Sequence, residues 1–396
     1  MRKKKILALS DSPFLNTGYS SQMLALLNGL SGKGWECHWQ VTNQTYTGQT
    51  LPPGSVKLAD GTPFNFTLYS AGREAYAKDV LIPRLKSIKP DIFITLLDTF
   101  MMHPWYQTQN FSPALSAFWF PSDGGKRLPL NCEHVLNHVQ IPVAMSKYGQ
   151  AQAKKRYGLK VHYIPHGINP DLFYPLSDEE KFELKTKWGL TNKFVIGLMG
   201  RNQNRKFHSR ALKIFQFFAR RHPDVVMLCH LDPNDVAATF CIRSMIKDLG
   251  LENRVFFTGT KYYEGFTYKQ MNDVYNLMDI YLSTTSGEGF GVGTIEAMSC
   301  KIPIVITDYT TTQELVTDHD AGEVIKLRDE LTGSMNVERG LCDITDGIEK
   351  LEKLYFDFQL RQKYGENGRK AVLENYTEEI VINKWQKLLD EKLSQL

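Results

Sequence analysis

The amino-acid sequence predicts an α/β protein made of two successive doubly wound, Rossmann-like domains that face a cleft. Three observations lead there. The 396 residues suffice for two domains at roughly 100–200 residues each. Short apolar runs alternate with amphipathic stretches, as expected of parallel strands joined by crossover helices. That alternation breaks off at a turn-rich connector and then begins again.

In the first half, Ile6–Ser10 reads as a strand and Ser20–Leu30 as a helix. Cys37–Val41, Asp91–Leu97, Ala117–Phe120, Val143–Ser146 and Val161–Pro165 read as further strands, with helices at Arg73–Lys86 and Lys147–Tyr157. The strand runs are mostly continuous in their apolar character, which suits a sheet covered on both faces. Residues 166–192 form the connector, rich in Pro, Gly and Asn, with a charged helix ending at Trp188-Gly189.

The second half repeats the pattern. Strands are expected at Phe194–Leu198, Val225–His230, Val255–Thr258, Ile280–Ser283 and Pro303–Thr307. Helices are expected at Ser209–Arg221, Val236–Leu249, Tyr268–Leu277 and Gly293–Ser299. Tyr355–Leu373 and Glu378–Leu393 read as closing helices. The predicted division is residues 1–168, residues 169–375, and a terminal helix over 376–396.

Composition sets limits. Hydrophobic residues make up 42% and charged residues 23%, ordinary globular usage that argues against global disorder. The 47 basic and 43 acidic residues leave a formal charge of +4, too mild for a dedicated nucleic-acid binder yet compatible with a local basic cleft. Six scattered cysteines, none in C-x-x-C spacing, read as reduced thiols of a reducing compartment. The N-terminal apolar run is too short for a signal peptide, and no run reaches the ~18 residues of a membrane span. The chain is therefore expected in the cytoplasm. Basic residues 2–5, 126–127 and 154–156 would allow peripheral contact with a membrane or another anionic surface, although a solvated face explains such runs equally well. The sequence leaves the oligomeric state open.

The most informative stretch is Ser283 to Cys300, which contains Gly287-Glu288-Gly289-Phe290-Gly291-Val292-Gly293 and then Glu296. It follows a strand and opens a helix. Its glycines permit positive φ and close backbone approach. The helix N-terminus behind them offers N–H groups and a positive dipole end, which suits a diphosphate. Glu288 and Glu296 more plausibly accept hydrogen bonds from sugar hydroxyls. The bland alternative is a Gly-rich turn with two exposed glutamates.

A second cluster, Gly200-Arg201-Asn202-Gln203-Asn204-Arg205-Lys206, follows the first strand of the second half. There Arg201 and Lys206 could reach one anion from two sides, a planar fork and a point charge. A third, Asp11 to Ser20 with Thr17, Gly18 and Tyr19, could present helix N–H groups to a phosphate or an acceptor. A fourth places Asp123 just beyond a strand, where a carboxylate can orient or deprotonate a hydroxyl, or simply close an Asx turn. Asp318-His319-Asp320 reads as surface, and His166 as part of the connector. Tyr262 and Tyr263 could stack on a base, and Trp105 and Tyr106 could shape an acceptor surface.

These residues carry a resemblance. Glu288 to Glu296, with Ala297-Met298 and Pro303-Ile304-Val305, closely resembles the E-x7-E region of retaining GT-B glycosyltransferases of the group 1, or family four, clan. Gly200-Arg201 with Lys206 is similar to that clan's donor-phosphate pair, Pro165–Asn169 through Phe173–Pro175 to its hinge, and Tyr275-Asn276 with Asp279 to its Y-N-x-x-D segment. The resemblance covers most of 160–310 and only the outline of 1–160.

It implies a GT-B fold whose second domain binds a nucleotide-sugar and whose last helix returns to the first domain. Arg201 and Lys206 would hold the diphosphate and neutralise the leaving group without a metal or other cofactor. Glu288 would contact sugar hydroxyls and Glu296 the ribose. Phe290, Gly291, Val292 and Gly293 would line the donor site through their backbone. The implied reaction is retaining transfer to a hydroxyl acceptor: a saccharide, a lipid-linked or cell-envelope glycan, or a hydroxylated nucleobase in DNA. A non-catalytic nucleotide-sugar-binding subunit is the rival from another class. Two departures stand out. Pro121-Ser122-Asp123-Gly124 occupies the place where many members carry a His, so either Asp123 assumes its polar role or the acceptor chemistry differs. Cys300-Lys301 replaces a usual glycine.

Overall fold

The computed structural model describes residues 2–15, 17–42, 46–57, 61–102, 111, 114–125, 132–261 and 264–396. The chain divides into two units, Met1–Gly167 with Glu378–Leu396, and Ile168–Thr377.

The first unit holds a seven-stranded sheet whose pairs are all parallel. Its strands are β1 (Lys5–Ser10), β2 (Glu36–Val41), β3 (Thr67–Tyr69), β4 (Ile92–Thr95), β5 (Leu115–Phe120), β6 (Ile141–Ala144) and β7 (His162–Tyr163). They lie in the order β3-β2-β1-β4-β5-β6-β7, so the winding reverses between β1 and β4. The continuous apolar runs are buried on both faces: Ile6 to Leu9, Ile92 to Ile94 and Ala117 to Phe120 have no exposed surface. The terminal helix Glu378–Leu393 belongs to this unit. Its Trp385 stands edge-on to Trp119 at 5.4 Å, and Trp35 donates its indole N–H to Gln386 at 2.8 Å. Helix Gly18–Gly32 packs beside it through Gly29, where an added Cβ would fall 2.3 Å from Ile382 Cδ1.

The second unit holds a parallel six-stranded sheet of β8 (Phe194–Met199), β9 (Val225–His230), β10 (Val255–Phe257), β11 (Ile280–Ser283), β12 (Ile304–Thr307) and β13 (Gly322–Ile325). The order β10-β9-β8-β11-β12-β13 reverses between β8 and β11. An antiparallel hairpin, β14 (Leu327–Thr332) and β15 (Glu338–Cys342), follows. Leu198, Phe215, Phe218, Met227 and Leu351 are among its fully buried core residues. Both sheets therefore have the doubly wound order that the alternation of apolar and amphipathic stretches predicts.

Several elements differ from expectation. Arg73–Lys86 is not one helix: Tyr76 and Ala77 adopt left-handed φ of 57° and 58°, which breaks it into a single turn at Ala75–Ala77 and a helix at Leu81–Ile88. The helix expected from Val236 begins only at Ile242. The closing helical stretch is two helices, Ile344–Phe356 and Phe358–Asn375, divided at Asp357, whose carboxylate accepts from Leu360 N at 2.8 Å. Strands β3 and β13, helix Cys132–His138 and the β14–β15 hairpin have no counterpart in the sequence reading. All six cysteines are free thiols, five buried and Cys241 exposed. Among the described residues no helix is long and apolar enough to cross a membrane.

Candidate active site at the switch point of the second unit

In a doubly wound sheet the crevice for a ligand opens at the carboxyl ends of the two strands where the winding reverses. In the second unit these are β8 and β11. The loop after β8 carries Gly200 to Lys206, and the loop after β11 carries Thr284 to Gly291. The fold thus joins two clusters that lie about eighty residues apart in sequence.

The loops are bound to one another through main chain. The Arg205 carbonyl accepts from Ser286 N at 2.6 Å and from the Ser286 hydroxyl at 2.9 Å, and the Phe207 carbonyl accepts from the Thr284 hydroxyl at 2.9 Å. Gly200, Gly287 and Gly291 adopt positive φ of 103°, 152° and 111°, which side-chain-bearing residues rarely do. Gly291 ends the loop and opens helix Val292–Ser299, whose N-terminus has no side-chain cap. Gly293 is needed for a different reason: a Cβ there would lie 3.3 Å from the hydroxyls of both Tyr275 and Tyr281.

Glu288 is buried between two cations. Lys206 Nζ donates to Glu288 Oε1 at 2.5 Å, and Arg205 Nη1 donates to Oε2 at 2.6 Å. Burial pushes the Glu288 carboxyl up, but the charges of Arg205 and Lys206 outweigh it and hold the group at about 2. Burial draws the Lys206 ammonium down from its ordinary value, with Glu288 opposing. The reading of Glu288 as an exposed glutamate is therefore excluded: its residue is 8% exposed.

Arg201 and Lys206 pair with different carboxylates. Arg201 places Nε 2.6 Å from Asp235 Oδ2 and Nη2 3.2 Å from Oδ1, a two-pronged pair with a residue of the loop after β9. Hydrogen bonding to Arg201 lowers the Asp235 carboxyl. The second cation on Glu288 is Arg205, which the sequence reading quoted without a role.

Glu296 sits in the helix that follows. Tyr275 donates its hydroxyl to Glu296 Oε2 at 2.5 Å. Burial raises the Glu296 carboxyl to about 7, with the Tyr275 hydrogen bond opposing. In the Y-N-x-x-D segment only Tyr275 reaches this site. Asn276 accepts from Leu176 N and donates to the Tyr174 carbonyl, and Asp279 accepts from Val195 N and Lys185 Nζ, each at 2.7 Å. His208 was also missed: its Nε2 donates to the Gly200 carbonyl at 2.9 Å, and burial keeps its imidazole neutral, with a pKa of about 4. Phe290 is buried, its ring 5.8 Å from that of Tyr376.

The remaining expected site residues lie in the first unit. Thr17 caps helix Gly18–Gly32, accepting from Ser20 N at 3.1 Å, and donates to Asp11 Oδ2 at 3.0 Å. Tyr19 donates to Asp98 Oδ1 at 2.8 Å. Asp11 and Asp98 follow β1 and β4, the switch point of that sheet, and half-buried Asp123 follows β5. His166 is buried, edge-on to Trp119 at 4.6 Å, with burial depressing its imidazole to about 3. Asp320 pairs with Lys363 at 2.7 Å, and Gln313 donates to Asp318 at 2.6 Å. Tyr262, Tyr263, Trp105, Tyr106, Lys126 and Arg127 lie outside the described residues.

Two doubly wound parallel sheets, with a cation–carboxylate cluster at the switch point of the second, define a Rossmann-like α/β class. Residues 180–371 match the family described as Glycosyl transferases group 1, and the fold is of the GT-B kind. Among curated proteins it is similar to mannosylfructose-phosphate synthase of Agrobacterium fabrum, 27% identical over 45% of this chain and 38% of the relative. It is also similar to the capsular polysaccharide biosynthesis glycosyltransferase CapM of Staphylococcus aureus, 27% identical over 53% of this chain and 49% of that protein. The alignments thus span half or less of those two relatives. Among solved structures, sucrose-phosphate synthase from Thermosynechococcus elongatus superimposes over 100% of both chains with a TM-score of 0.77 at 15% identity. HepE of Anabaena, solved with UDP and glucose, superimposes over 99% of this chain and 100% of its own with a TM-score of 0.73 at 16% identity. At such identities the likeness is one of fold.

Proposed function

We propose that the protein transfers a sugar from a nucleotide-diphosphate sugar to a hydroxyl acceptor with retention of anomeric configuration. The observation that carries the reading is the clustering of Arg201, Lys206, Glu288 and Glu296 on two loops and one helix N-terminus at the β8/β11 switch point. Two cations beside an uncapped helix end favour a diphosphate. Two carboxylates beside them, Glu288 buried and Glu296 half-buried, favour hydroxyl-bearing groups on either side of it. The group 1 match and the UDP complexes of HepE support the donor class.

In this reading the donor diphosphate takes the place of the Glu288 carboxylate on Lys206, and Arg201 turns from Asp235 toward the same anion. Glu288 then accepts from sugar hydroxyls, and Glu296 accepts from the ribose. The bond between the anomeric carbon and the β-phosphate oxygen breaks, and the nucleoside diphosphate departs. The acceptor oxygen bonds to the anomeric carbon on the same face, and its proton passes to the departing phosphate. Arg201 and Lys206 stabilise the charge that develops on that phosphate, the task a metal ion performs elsewhere. The acceptor class proposed is a saccharide or glycan hydroxyl, in keeping with the capsular polysaccharide relative.

The test is a panel of UDP-, GDP-, ADP- and CMP-sugars in chelator, followed by release of free nucleotide with candidate acceptors. One donor should bind without metal and be turned over only with acceptor. A chain that binds a nucleotide-sugar and turns over none would be a binding subunit. Binding of none would overturn the reading.

A further inference from the structure

We propose that Arg205 is a positioning residue that aims the Glu288 carboxylate at the donor sugar once Lys206 has passed to the diphosphate. This deepens the transfer reading above and rests on it.

Arg205 is the hinge-pin between the two loops of the switch point. Its carbonyl accepts from Ser286 N, the Ser286 hydroxyl and the Thr285 hydroxyl at 2.6, 2.9 and 3.4 Å. Its Nη1 donates to Glu288 Oε2 at 2.6 Å and to the Gly287 carbonyl at 3.3 Å. Main chain and side chain of one residue thus hold four consecutive residues of the opposite loop. The Glu288 backbone is fixed separately, its N–H donating to the Thr310 hydroxyl at 3.0 Å.

Lys206 and Arg205 divide the work according to their chemistry. A lysine ammonium is a point charge on a flexible stem and can turn from carboxylate to phosphate. An arginine whose Nη1 already bridges a carboxylate and a neighbouring carbonyl is held in one orientation. If Lys206 alone neutralised Glu288, its departure would leave a buried carboxylate without a charge partner. Such a group takes up a proton, turns one oxygen into a donor and loses the charge that strengthens its acceptance. Arg205 prevents that, so Glu288 stays ionised and accepts from sugar hydroxyls. The titratable and charged groups that face Glu288 are Arg205 and Lys206 from the β8 loop, His208 from the helix after it, and Tyr281 from β11.

The experiment is a carbon-13 NMR titration of the Glu288 side-chain carboxyl in the full, unliganded chain, with the resonance assigned by E288Q. Wild type, Arg205→Met and Arg205→Lys are compared. The account expects the midpoint to rise by about one unit or more in Arg205→Met, with Arg205→Lys in between. With the donor in hand, Arg205→Met should lower kcat about tenfold or more and move the acid limb of kcat/KM to higher pH. Affinity for the nucleoside diphosphate should stay within about twofold of wild type. An unchanged Glu288 midpoint overturns the proposal. So does a loss of nucleoside-diphosphate affinity matching the loss of turnover, which would make Arg205 a phosphate ligand. Failure of wild type to bind any nucleotide-sugar strikes the transfer reading instead, whatever the titration shows.

Discussion

The two units share a strand order but not the chemistry at its reversal. At the β8/β11 switch point stand Arg201, Arg205 and Lys206, with Asp235 and Glu288 as their partners. At the β1/β4 switch point stand Asp11 and Asp98, with the hydroxyls of Thr17 and Tyr19 donating to them. One crevice carries guanidinium and ammonium groups paired with carboxylates. The other carries carboxylates paired with hydroxyls. The same topology therefore supplies two kinds of site, and the side chains on its loops decide which.

The sharpest way to break this contrast is Lys206→Ala. If the second switch point is a diphosphate site, kcat/KM should fall about 100-fold or more, in line with removal of one preorganised electrostatic partner. Steady-state release of nucleoside diphosphate reads it, and unchanged turnover would contradict the assignment. A smaller effect is expected from Asp235→Asn. The Arg201 fork would lose its two-pronged anchor. About a tenfold change in kcat/KM should result, its sign reporting whether Asp235 steadies Arg201 or competes for it; no change would remove Asp235 from the site.

Tyr19→Phe probes the other crevice. It deletes the hydroxyl that donates to Asp98. The acceptor KM should rise a few-fold, on the order of one lost hydrogen bond, while calorimetric affinity for the donor nucleotide stays unchanged. A change in donor affinity with acceptor KM intact would place Tyr19 at the donor instead.

A last prediction concerns pH, and there the units agree. Each buries a neutral imidazole: His166 at about 3 in the first, His208 and His230 at about 4 in the second. Their folded pKa values lie below the ordinary 6.5, so the unfolded chain binds protons that the folded chain refuses. Stability should hold above pH 6.5 and fall as pH drops toward 4, by up to about 1.4 kcal/mol per pH unit per imidazole. His208→Gln should flatten that decline in a series of melting temperatures. An unaltered slope would mean that His208 is not held neutral.

Much of this was legible in the sequence because burial on both faces leaves continuous apolar runs. Helix Lys147–Tyr157 and strands Val225–His230 and Ile280–Ser283 fall where periodicity and punctuation put them. Strand β3 was not legible, because three residues carry too little pattern. The break at Tyr76 was not either, since a left-handed tyrosine has no sequence signature. At the candidate site, the glycines and carboxylates announced themselves by type and spacing. Pairing did not. Arg205 and Arg201 are alike in sequence, and only the backbone between them sends one to Glu288 and the other to Asp235. Asp98 and Asp235 escaped notice because each is one aspartate in an ordinary loop, made interesting only by the residue it meets.

The central claim is that the β8/β11 switch point is a diphosphate site centred on Lys206. Calorimetric titration of UDP, GDP, ADP and CMP into wild type and Lys206→Ala, both in chelator, tests it most directly. The account predicts that one nucleotide binds wild type without metal and that Lys206→Ala weakens it at least about tenfold, a difference of about 1.4 kcal/mol. Equal affinity in the two proteins, or binding of none of the four, would contradict it.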